Sequence, residues 1–189
     1  DEATALLAGD ALLTEAFLLL ARAYKGDPAL ACALIEDLAD ASGSKKLIGG
    51  QVEDLIGEET EGQEERLDYI HQNKTAALIT ASLTMGVRLS GIDDSLLETT
   101  RYLGQHLGCA CQILDYILHS TEDTATLGKT AALDEKNGTL TYTKLYGIDT
   151  SREKAKAHTQ SALDCCHQMA GSENTFLAGL INKLEHRIN

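Results

Sequence analysis

Apolar residues recur every three to four positions along most of the chain, and that spacing predicts helices. In the stretch 3–24, Leu6, Leu7, Leu12, Leu13, Phe17, Leu20 and Ala21 fall on helical spacing. The turn Gly26-Asp27-Pro28 follows, with Asp27 placed to cap and Pro28 at the first helical position. A second helix over 28–42 ends at Gly43, and a third over 45–56 accommodates the paired Gly49 and Gly50. The acidic run from Glu58 to Glu65 reads as an exposed loop. A long helix over 64–90 stops at Gly91, and another spans 94–120. Around Gly128, Gly138 and Gly147 the pattern gives a looped region with short helices, and two last helices cover 150–170 and 173–188. No segment sustains strand alternation, so the fold class is all-α, with 1–189 read as one helical domain.

Composition agrees. The chain has 189 residues, one proline, no tryptophan and 16 glycines, so helix breakers are few. A net charge of −13 excludes a nucleic-acid partner, because a phosphate backbone needs a basic face. It also requires any phosphate-bearing ligand to be met by local Lys or Arg, or by metal ions. Cys32, Cys109, Cys111, Cys165 and Cys166 follow no framework spacing, and an odd count points to reduced thiols and cytoplasmic residence. They read as small apolar residues rather than metal or redox groups. No apolar run is read as reaching membrane-spanning length, and no signal peptide is read. The first residues, DEATALLAGD, begin inside a helical pattern without Met, so the chain is expected to be a fragment.

Chemistry concentrates in three places. On the helix 94–120, Gln112, Asp115 and His119 share one face among Leu107, Ala110, Ile113, Leu114, Ile117 and Leu118. A carboxylate in such company needs a partner, a hydrogen bond or a metal, although a solvent-facing or ion-paired Asp115 is the plainer alternative. Lys74 and Thr75 lie mid-helix in HQNKTAALITAS, where a lysine by itself is read as snorkelling to the surface. Lys129 lies in a glycine-containing loop, TLGKTAALDEKNGTLTY, free to fold over an anion or simply to be solvated.

Taken together, the runs EATALLAGDALLTEAF (2–17), GGQVEDL (49–55), HQNKTAALI (71–79), ACQILDYIL (110–118), TLGK (126–129) and NGTLTY (137–142) resemble, in order and spacing, the trans-polyprenyl diphosphate synthases of short-chain farnesyl or geranylgeranyl type. The resemblance covers almost the whole chain. It implies an isoprenoid-synthase-type helical bundle and a prenyltransferase that condenses isopentenyl diphosphate with an allylic diphosphate. Mg2+ is the implied cofactor, bridging two facing aspartate-rich motifs to the allylic diphosphate. It also implies a homodimer. By position, Lys74 and Thr75 resemble residues that contact the allylic diphosphate, and Gln112 the polar residue beside the second aspartate motif. Lys129 resembles the lysine that closes over the diphosphate, and Asp115 the first metal ligand of the second motif.

Departures accompany the match. Where the family reads DDxxD, this chain has Asp115, Tyr116 and His119. Asp115, His119 and Asp123 recur at i, i+4 and i+8, a register resembling that of second-site metal ligands in terpene cyclases. Thr139 stands where the family usually has a lysine after NG, with Lys136 nearby. The first DDxxD motif and the isopentenyl-diphosphate-binding segment precede the counterpart of EATALLAGD in the family. The chain is therefore expected to lack the N-terminal helices of such an enzyme and to be inactive alone. The alternative is a non-catalytic subunit or regulatory homologue of a polyprenyl diphosphate synthase.

Overall fold

A computed structural model describes residues 1–56, 62–91, 95–121, 140–170 and 175–185. Among these residues the secondary structure is entirely helical. The elements are α1 (Glu2–Ala23), α2 (Pro28–Ser42), α3 (Leu47–Leu55), α4 (Gln63–Ile70), a π-helical turn (His71–Ala76), α5 (Ala77–Ser90), α6 (Ser95–Thr121), α7 (Tyr142–Tyr146), α8 (Ile148–Ala170) and α9 (Thr175–Glu185).

The boundaries have local causes. Asp27 accepts a hydrogen bond from the Leu30 amide at 3.0 Å, and Pro28 follows where no intrahelical donor is needed. Thr141 caps α7 by accepting from the Lys144 amide at 3.2 Å. Gly91 ends α5 with φ +67°, a left-handed conformation that glycine adopts without Cβ strain. The helix read over 64–90 is present but not uniform. Its middle is wound as a π-helix, where the Asn73 side chain donates to the Tyr69 carbonyl at 2.8 Å.

The 27-residue α6 is the axis of the fold and packs along α5 and α8. Near its C-terminal end, Ile113, Leu114, Tyr116 and Ile117 close a core with Leu67, Leu140, Tyr142 and Ala155. Nearer its start, Leu103 and Leu107 meet Ala162, Cys166 and Ile181 from α8 and α9. A third cluster, Ala41, Ala77 and Ala81, joins α2 to α5. All five cysteines are free; Cys109 and Cys166 are buried, as their reading as small apolar residues expects.

Two expectations are corrected at α1. Its leucines were read as a core-facing stripe, yet none of its residues is buried; Leu6, Leu7 and Leu12 lie open. Nor does the chain lack an apolar run of membrane-spanning length: α1, 22 residues long, is long and apolar enough to cross a membrane. Asp10 and Glu15 sit a turn or more apart and leave its hydropathy high.

Candidate functional site

Three elements meet at the π-helical turn. On one side α3 comes close through Gly50, where a Cβ would collide with the Lys74 backbone. Asp54 lies one turn beyond Gly50 on the same face, and its Oδ2 takes a 2.6 Å ion pair from Lys74 Nζ. The pair is largely withdrawn from water, with side-chain exposures of 9% for Asp54 and 28% for Lys74. Lys74 is thus held on the protein rather than snorkelling.

On the other side α6 approaches through Gly104 and Gly108, whose added Cβ atoms would meet Thr80 and Ala76. Gln112 continues that row, and its Oε1 accepts from Thr75 Oγ1 at 2.6 Å. Two adjacent residues of the turn, Lys74 and Thr75, therefore reach in opposite directions, one to α3 and one to α6. A plain α-helix would separate them by only about 100°.

Behind the turn, His71 is 1% exposed, with neither ring nitrogen hydrogen-bonded. Its ring lies 5.4 Å from that of Tyr116 and 4.8 Å from that of Tyr142. Tyr142 in turn donates to Asp68 Oδ1 at 2.8 Å. Burial, then His158 and Lys74, push the His71 pKa down to about 3, so the ring is neutral at physiological pH. The Tyr142 phenol is pushed up, first by burial and then by its hydrogen bond to Asp68. A second histidine pair joins α6 to α8, with His106 Nδ1 3.0 Å from His158 Nδ1. Both pKa values are lowered, chiefly by burial.

Beyond Gln112 the C-terminal end of α6 presents Asp115, whose side chain is 40% exposed, with His119 Nε2 3.8 Å from its Oδ2. Tyr116 points away, 3% exposed, into the core. Among the described residues no group of three His, Cys, Asp or Glu could hold a metal ion. Mg2+ asks for an octahedral set of oxygens. One carboxylate and an imidazole nitrogen do not fit that ion. A 210 Å³ cleft between α2, α5 and α6, lined by Asp37, Asp40, Lys46 and Arg101 among others, does not include Lys74, Thr75, Gln112 or Asp115.

The model of the polyprenyl synthetase family matches residues 1–177. The chain belongs to that family.

Within the polyprenyl synthetase family, the chain is 36% identical to the heterodimeric geranylgeranyl pyrophosphate synthase large subunit 1, chloroplastic, of Arabidopsis thaliana, matching across 100% of itself and 52% of that protein. It is also 36% identical to the chloroplastic geranylgeranyl pyrophosphate synthase of Catharanthus roseus, across 100% of itself and 53% of the relative. The chain spans about half the length of the curated relatives it matches. Among solved structures, a geranyltransferase from Helicobacter pylori complexed with magnesium and isoprenyl diphosphate superposes with a TM-score of 0.83 at 33% identity. That match covers 100% of the chain and 61% of the neighbour. The fold is thus the isoprenyl diphosphate synthase bundle, as the ordered motifs implied.

The structure brings Lys74, Thr75 and Gln112 together and puts Asp115 and His119 one turn further along α6. Lys129, Asp123, Lys136 and Thr139 lie outside the described residues. Sequence reasoning missed Asp54 and His71. Asp54 was within reach, since it stands one helical turn after Gly50 in the quoted run GGQVEDL.

Proposed function

We propose that the protein is a prenyltransferase that joins isopentenyl diphosphate to an allylic diphosphate in isoprenoid biosynthesis, and that this chain carries the half of it that grips the allylic diphosphate. The observation that carries the reading is the junction at the π-helical turn, where Lys74 and Thr75 are set by contacts to α3 and α6. Lys74 gives the diphosphate a cation already positioned by Asp54, which shares the ammonium when phosphate oxygens arrive. Thr75 and Gln112, bonded to each other, offer a hydroxyl and an amide at a fixed spacing. Buried Leu114 and Leu118 back this end of α6, which keeps water from one side of a reacting carbocation. Lys129 closes over the diphosphate in this reading. The magnesium complex of the neighbouring geranyltransferase supports a metal-dependent reaction, with Asp115 the one carboxylate of the second motif among the described residues. A homodimer would cover the exposed leucines of α1. Cytoplasmic residence rests on the free thiols.

A second reading, a non-catalytic subunit or regulatory homologue, is favoured by one feature. Tyr116 occupies the second position of the aspartate motif as a core residue, 3% exposed, not as a ligand.

One assay separates the two. The protein, with whatever precedes Asp1 in its reading frame, is incubated with isopentenyl diphosphate, an allylic diphosphate and Mg2+, and prenyl product is measured. Product formation that Lys74→Ala lowers by about 100-fold, at the upper end of the range for lost transition-state contacts, supports the enzyme. Absence of product, with no DDxxD upstream in frame, overturns it in favour of the subunit. With the 189-residue chain alone, inorganic pyrophosphate should bind and lose affinity on Lys74→Ala.

A further inference from the structure

The end of α6 poses its own chemical question. Asp115 and His119 stand one helical turn apart, with Oδ2 and Nε2 3.8 Å from each other. Two ligands each about 2.1 Å from one first-row ion lie roughly 3.0–3.4 Å apart, so a small rotation of the exposed Asp115 closes a chelate. Imidazole suits Zn2+, Co2+ and related ions, whereas Mg2+ selects oxygen. The neighbouring position cannot restore an oxygen set, because the Tyr116 ring is committed to the His71 stack. A recess of 40 Å³ opens beside the carboxylate, lined by Cys111, Leu114, Asp115, Leu118 and Leu184, with room for an ion-bound water.

We infer that Asp115 and His119 form a two-ligand site for a borderline divalent cation of the Zn2+ or Co2+ class, replacing the hard-ion site that Mg2+ requires. Water, and the phosphate oxygens of a bound diphosphate, complete its coordination. The inference rests on reading this end of α6 as the metal-facing side of a diphosphate site, but its test uses no diphosphate.

The 189-residue chain is titrated with Zn2+, Co2+ and Mg2+ separately at pH 7.5, by calorimetry and by NMR of the ring nitrogens of its six histidines. Zn2+ and Co2+ should shift the His119 ring first and bind more tightly than Mg2+. His119→Ala and Asp115→Ala should each weaken Zn2+ by about tenfold or more. His119→Asp should reverse the preference, raising Mg2+ affinity while lowering Zn2+ affinity. His106→Ala is the control and should change neither. The inference is overturned if the His106 and His158 rings shift first, if His119→Ala leaves Zn2+ affinity unchanged, or if Mg2+ binds as tightly as Zn2+. These outcomes are independent of pyrophosphate binding at Lys74, so either proposal can fail without the other.

Discussion

The two sides of the candidate site are built differently. The cationic side, Lys74 with Thr75, sits on a helix pinned between α3 and α6 by Gly50 and Gly108 and backed by the His71–Tyr116–Tyr142 stack. The carboxylate side, Asp115 with His119, projects from the end of one helix and is held by little beyond it. The first side is part of the core and its residues stabilise the fold; the second is free to vary in chemistry at small cost. The motif departures, Tyr116 and His119, accordingly fall on the second side. Tyr116 also shows how a lost ligand becomes useful elsewhere, since its ring now packs against the turn that carries Lys74.

That contrast can be broken experimentally. The largest expected effect is Lys74→Ala. It leaves the Asp54 carboxylate, 9% exposed, without its cation and should cost about 3 kcal/mol in urea unfolding. The double variant Lys74→Met, Asp54→Leu should recover much of that loss. Next comes pH. His71 protonates readily only when unfolded, so its folded pKa of about 3 lies below its ordinary 6.5. Stability is therefore complete above pH 6.5 and is lost as pH falls, by about 1.4 kcal/mol per unit through this residue. Unfolding at pH 6.5 and 4.5 measures the slope. His71→Phe, which keeps a ring in the stack, should flatten it, leaving the smaller contribution of His106 and His158. Gly108→Ala should cost roughly 2 kcal/mol by forcing α6 away from Ala76, and should weaken pyrophosphate binding through the Thr75–Gln112 bond. The smallest effect is Asp115→Ala, expected within about 0.5 kcal/mol of the parent. A loss there as large as that of Lys74→Ala would erase the distinction between the two sides.

Most helices were legible because punctuation is sparse and strong. Asp27-Pro28, Gly91 and Gly147 mark ends that the structure keeps, and the apolar spacing of α6 names its buried face correctly. The π-helical turn was not legible, because HQNKTA contains no breaker and its winding depends on α3 and α6 pressing from both sides. The Lys74–Asp54 pair spans 20 residues and needs the approach at Gly50 before it exists, so no local pattern announces it. Tyr116 was read as a missing ligand, though it sits between Ile113 and Ile117 on the buried side of α6; the motif comparison drew attention from that periodicity. The stripe of α1 was read correctly as apolar and wrongly as internal. Periodicity shows that a face is apolar, not what covers it.

The π-helical turn also limits what the chain can tolerate in length. Removing one residue between His71 and Ala76 would return the segment to α-helical winding and rotate everything after it by about 100°. Ala76 and Thr80 would then turn off the glycine row of α6, and bulkier neighbours would take their place. Insertions and deletions should thus be forbidden in these six residues even where substitutions are accepted, so the register of α5 is fixed by how many residues precede it as much as by which ones they are.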